Sequence, residues 1–399
     1  MQSQEPGTRV WVNGSVYSPA DPFATAVLLA GATVAWLGSD DAARAMAGPG
    51  VTPGDLRAAV VTPAFVAHHR VPDRLPVDAD AAGPGDDADA APAPPRTSQG
   101  YGAVELLGSD PEALAAATER VLADGAHALP VLIRAATQEQ ELDASDLPSP
   151  ALGLDAGTLP ALPALRESAR EHLVACTRAA LQAVLVLPLT EGDPHGAMPD
   201  GAGAAASSGD DRLDALLEAA EAAQEHVGER AFRARNHRIV GVGGASEEQC
   251  RRMAALSLTA SCIPGRAPLR DLSRAGVPVT LMTEDPEPWA AVKAALEAPH
   301  ERLRTSARAA FLGLTRGAWR ARPGAQPLAG QLVPGAEATL TVWDAESVMV
   351  QQAQGTGASW STDPRARTPV LPALDDARLP RCEATVVAGR LVAGTEPRP

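Results

Sequence analysis

From residue 59 to residue 297, short apolar runs alternate with stretches whose apolar positions recur at helical spacing. The runs predict strands over 59–68, 102–107, 129–134, 151–155, 183–189, 237–242, 257–263 and 277–283. Helical periodicity falls between them, over 111–124, 164–182, 211–226, 246–255 and 289–297. This alternation is the pattern of a parallel sheet with crossover helices, and eight such strands suit a (β/α)8 barrel of minimal size. The ends read as β-structure instead. RVWVNGSVY at 9–17 and ATAVLLAGATVAWLG at 24–38 carry the turn pairs Asn13-Gly14 and Ala30-Gly31, both suited to hairpins. GAEATLTVWD at 335–344 and ATVVAGRLV at 384–392 match them from the far end. The expected fold is therefore α/β: a TIM-like barrel over 61–329, plus a small β-sandwich-like domain built from both termini, 1–60 and 330–399.

Two segments break the pattern. Residues 71–98 and 193–210 are rich in Pro, Asp, Gly and Ala, and neither buries enough apolar surface to offset its ordering entropy. Both are expected to be flexible loops following barrel strands, where specificity loops sit on this architecture.

Composition narrows the function classes. A net charge of −15 over 399 residues speaks against a nucleic-acid backbone as partner. No apolar run approaches the ~18–20 residues of a membrane span. The start, MQSQEPGTRVWVNG, lacks a basic region followed by an apolar segment, so cytoplasm is the default expectation. Cys176, Cys250, Cys262 and Cys382 are dispersed and read as free thiols, with Cys262 a small buried hydrophobe. Lys293 is the single lysine.

The candidate chemistry centres on VTPAFVAHHRV at 61–71. His68 and His69 are adjacent, so on a regular strand they face opposite sides and cannot grip one ion; only a bulge re-aims one of them. Glu284 and Asp285 follow the last strand, as acids or as caps of the next helix. Glu105 points either into the barrel or among the outer helices, His237 reads as structural, and His195 as solvated.

Several words of this chain resemble the amidohydrolase superfamily, in its amidohydrolase-3-like branch. They are 13–45, VTPAFV at 61–66, HLVACTRAALQA at 172–183, NHRIVGV at 236–242, EPWAAVKAALEAP at 287–299 and RAAFLGLTRGAWRA at 308–321. LVPGAEATLTVWDAE at 332–346 and the region from 360 onward complete them. The resemblance implies a metal-assisted hydrolase of carbon–nitrogen bonds. Its divalent ions, such as Zn²⁺, are held by His-x-His after the first strand, a lysine or glutamate after the fourth, and histidines after the fifth and sixth. An aspartate after the eighth strand is the base. Carried over, His69 matches the first imidazole and Val71 stands at the second, with His68 the other metal candidate. Asp155 but no lysine follows the fourth strand, and no histidine stands near Leu187 or Pro188. Val240 and Gly241 replace the acid and ligand of the sixth. Glu284 or Asp285 aligns with the base. The resemblance thus implies an amidohydrolase-like protein, catalytically impaired and without a cofactor, retained to bind a small molecule or an active paralogue. The alternative is an active metal-dependent hydrolase. A homodimer is the default assembly.

Overall fold

The computed structural model describes residues 7–48, 50–72, 93–135, 142–159, 161–188, 207–345, 348–352, 359–361, 369–374 and 378–399. Eight parallel strands follow one another in chain order. They are β1 (Phe65–Arg70), β2 (Tyr101–Gly108), β3 (His127–Arg134), β4 (Ala151–Asp155), β5 (Gln182–Val186), β6 (Arg238–Val242), β7 (Thr259–Cys262) and β8 (Val279–Leu281). The sheet closes on itself where His68 N–H of β1 donates to Thr283 C=O just past β8, at 2.9 Å. The chain forms a (β/α)8 barrel.

Each predicted helix is present within a few residues: Pro111–Ala123, Leu162–Arg178, Ser207–Val227, Glu247–Ala255 and Pro288–Glu297. Their ends follow capping chemistry. Asp110 accepts from Glu112 N–H ahead of Pro111, and Ser246 and Gln249 form a reciprocal capping box. Helix Ser207–Val227 starts inside 193–210, so residues 207–210 are helical rather than loop; a run of small polar residues hides a helix start. The rest of that segment, and most of 71–98, lie outside the described residues.

The termini share one sheet. Its strands run Ser15–Val16, Val60–Pro63, Leu340–Asp344, Arg381–Val387 and Arg390–Gly394. A second sheet, Thr33–Gly38, Ala26–Ala30, Thr8–Val12 and Gly54–Asp55, belongs to the amino-terminal part alone. Trp11, Val27, Leu29 and Leu37 pack with Val61, Leu340, Val342 and Val386 between the two sheets, which makes the unit sandwich-like. Ala30-Gly31 turns a hairpin as expected. Asn13-Gly14 does not. Asn13 takes a positive φ of 60°, but the chain then crosses to the other sheet, where Ser15–Val16 pairs with Val60–Val61. The strand Thr8–Val12 instead pairs with Ala26–Ala30, which satisfies its backbone groups.

An aromatic cluster fastens barrel to sandwich. Phe65 of β1 meets Tyr101, Trp289, Phe311 and Trp343 edge-on, and Trp289 stacks on Phe311 at 5.5 Å. His237 is structural: its Nδ1 accepts from Ala183 N–H at 2.9 Å and its Nε2 lies 2.9 Å from the Thr177 hydroxyl. That hydroxyl donates to Leu173 C=O, so Nε2–H is the donor in the pair. Burial pushes this imidazole down to about 3, and it stays neutral.

Candidate active site at the barrel mouth

Alternation along β1 decides what enters the barrel. The register between β1 and β2 shifts only at Phe65/Val66 and is regular from Val66 to Arg70, so the bulge does not reach the histidine pair. His68 therefore points inward and His69 outward, and they touch different carboxylates. His68 Nδ1 is 2.6 Å from Glu105 Oε2. His69 Nδ1 is 3.8 Å from Glu284 Oε2, beyond hydrogen-bond reach, and is buried without a partner.

This corrects the carry-over of the His-x-His pair. Val71 is buried on the outer side, against Leu114 and Gly108, on the same face as His69. The inward positions two apart are His68 and Arg70. Arg70 reaches across the mouth and pairs its Nη2 with Asp155 Oδ2 of β4 at 2.6 Å. The same carboxylate is held by Gly157 N–H at 2.7 Å, so both ends of the ion pair are placed. A guanidinium thus stands at the strand ends.

Below this pair the barrel is aliphatic. Leu107, Val131, Ile133, Val184, Val186, Val240 and Met282 form one buried cluster contributed by strands around the barrel. Deeper still is a charged group. Glu105 of β2, 3% exposed, receives Arg238 Nη1 of β6 at 3.2 Å, with a second contact from Nη2, and it also pairs with Arg322. Burial works to raise the Glu105 carboxyl. The guanidiniums of Arg238 and Arg322, with His68, outweigh it and hold the group well below the usual carboxylate range. Burial, with Arg238 nearby, brings Arg322 down to about 10, against the pull of Glu105, and it remains charged at neutral pH.

The acids after β8 take separate roles. Glu284 Oε1 accepts from Arg70 N–H at 2.9 Å. Its pKa is lowered: burial raises it, and the His69 side chain and the Arg70 amide more than compensate. Asp285 turns away, accepting from Glu287 N–H at 2.8 Å and holding the turn into helix Pro288–Glu297, while its carbonyl takes the Tyr101 hydroxyl at 2.6 Å. The structure brings Glu284 beside His69 and leaves His68 and Asp285 apart from them. His195 lies outside the described residues.

A catalytic divalent ion needs at least three protein donors that converge. Among the described residues no three His, Cys, Asp or Glu side chains do so. Arg70 adds a positive charge where the donors belong. Gly241, aligned with the ligand after the sixth strand, has a φ of 85° beside a register shift between Val240 and Val242. A side chain there is strained as well as missing. These residues do not fit the metal.

Sequence reading missed Arg70 and the depth of Glu105. Counting by twos from His68 marks Arg70 as inward. Glu105 and Arg238, opposite charges on two otherwise apolar strands, mark each other as partners.

Residues 204–393 match the model of the amidohydrolase family. No curated protein sequence matches the chain. Among solved structures, an uncharacterized metal-dependent hydrolase from Pyrococcus furiosus aligns with a TM-score of 0.56 at 14% identity, over 84% of this chain and 98% of its own. A β-aspartyl dipeptidase from Fervidobacterium islandicum gives 0.56 at 10% identity, over 97% of each chain. The E. coli guanine deaminase gives 0.54 at 14%, over 97% of this chain and 99% of its own. At these identities the likeness is one of fold alone. No helix among the described residues is long and apolar enough to cross a membrane.

Proposed function

We propose that this chain keeps the amidohydrolase barrel without the family's metal-assisted hydrolysis, and acts by binding a small molecule or an active paralogue. One observation carries this reading: Arg70, locked to Asp155 at 2.6 Å, takes the inward position of the second imidazole. The charge of a guanidinium repels a divalent cation and donates where the ion needs lone pairs. The layer beneath the pair is aliphatic, formed by Leu107, Val131, Ile133, Val184, Val186, Val240 and Met282.

A second reading keeps hydrolysis of carbon–nitrogen bonds, the chemistry for which the dipeptidase and the deaminase are named. Its support is the approach of His69 to Glu284 at 3.8 Å, a base and orienter in outline. Purified protein assayed against dipeptides, cyclic amides and aminopurines, with and without added Zn²⁺ or Mn²⁺, separates the two. Our reading expects turnover at the level of buffer alone, unchanged in His69→Ala and Glu284→Gln. Turnover that rises with metal and is lost in His69→Ala overturns it in favour of the second.

A further inference from the structure

The opposite end of the barrel carries the unexplained charge. A cavity of about 500 Å³ opens at the amino-terminal ends of the strands, where Arg235, Arg320 and Arg322 meet Gln182 and Asn236. Three arginines line it and no carboxylate does, in a chain whose net charge is −15. A comparable surface cavity among Arg270, Arg274 and Arg302 instead has Glu247, Asp271 and Glu301 in its wall.

Two of these arginines keep buried N–H groups that the protein does not match. The Arg322 side chain is nine-tenths buried, and its Nε has no hydrogen-bond partner. Glu105 is one carboxylate facing two guanidiniums, Arg238 and Arg322, so the pairing leaves positive charge in excess. Arg235 spends Nη1 on Ala180 C=O at 3.2 Å, and its buried Nε is likewise without a partner. Buried guanidinium N–H groups left unmatched are costly, and oxyanions are the ligands that suit their planar donors.

Gln182 refines the choice of anion. Its Nε2 donates to Asn236 C=O at 2.6 Å and to Ala321 C=O at 2.7 Å, which fixes the amide orientation. Its buried Oε1 is left without a donor. A ligand that satisfies this wall needs several acceptor oxygens and one O–H. Hydrogen phosphate has both at neutral pH, whereas sulfate and a phosphomonoester dianion have no O–H. We infer that the amino-terminal end of this barrel is a binding site for inorganic phosphate, held by Arg322, Arg235 and Arg320 and oriented by Gln182. The site lies away from the mouth and does not depend on what the mouth does.

Calorimetric titration of the full chain tests it, with inorganic phosphate, sulfate, a simple phosphomonoester and chloride at matched ionic strength. Saturable one-to-one binding of phosphate is expected, with sulfate and the ester weaker by about tenfold, the worth of one hydrogen bond to a charged group. Arg320→Gln and Arg235→Gln are expected to weaken phosphate by about tenfold each. Neither residue supports the buried Glu105 cluster, so both variants should melt as the parent does, whereas Arg322→Gln removes a Glu105 partner. No saturable phosphate binding, sulfate binding as tight as phosphate, or binding indifferent to Arg235 and Arg320 overturns the proposal.

Discussion

Replacing Glu105 by alanine is expected to cost about 3–5 kcal/mol of stability, read as a lower denaturant midpoint with an unchanged slope. The carboxylate is 3% exposed, and its removal strands Arg238 and Arg322 inside the barrel with no acid to answer them. Adding Arg238→Met to Glu105→Ala is expected to recover part of the loss, since one orphaned charge is then replaced by an apolar chain of similar reach. The pH dependence has a definite sign. The folded-state pKa of Glu105 lies below its unfolded value, so its contribution is present above the unfolded carboxyl pKa of about 4.3. It is lost as pH falls through the lower folded value. Parent and variant should therefore converge in stability only in strong acid. A gap that closes near neutral pH would mean that the carboxylate is not the ionised partner of these arginines.

Trp343→Ala is expected to cost a similar amount, about 3–5 kcal/mol, through cavity formation and lost ring contacts. Trp343 sits on the strand shared by both termini, 1% exposed, with Phe65 and Trp289 edge-on to it at 5.7 Å and 5.5 Å. Its Nε1–H donates to the Thr62 hydroxyl at 2.9 Å, so the ring also ties two strands of the sandwich together. Gly100 makes the room: it has a φ of 96°, and a Cβ there would come within 2.2 Å of the Trp343 ring. Trp343→Phe, which keeps a ring but loses the N–H, should cost clearly less. Equal melting of Trp343→Ala and the parent would show that sandwich and barrel do not depend on this cluster.

The barrel was legible because period and composition agree along its strands. In β4 and β6 nearly every residue is apolar, as burial on both faces requires, and the runs ALGLD and RIVGV stand out from their polar flanks. Pairing inside the sandwich was less so. Asn13-Gly14 announces a turn, but a turn does not say which sheet the chain enters next, and here tertiary pairing with Val60–Pro63 decides it. The strands Val348–Gln352 and Ser359–Ser361 are too short to stand out, with only Val348-Met349-Val350 apolar before a stretch of Gln, Ala, Gly and Thr. At the mouth, the resemblance led to His69 and Val71, because word matching does not see the face on which a side chain emerges. Alternation from His68 does, and it is the outward burial of Val71 and the inward pairing of Arg70 that shift the match by one residue. Arg322 was out of reach of any local pattern. It arrives from beyond the last barrel helix to meet a carboxylate on β2.

Metal content measures the mouth most directly. The purified full chain, dialysed after incubation with Zn²⁺ or Mn²⁺, is expected to retain far less than one ion per molecule by elemental analysis, with no change on His68→Ala or His69→Ala. One tightly held ion per chain, released by either substitution, would contradict a mouth closed by Arg70 and Asp155.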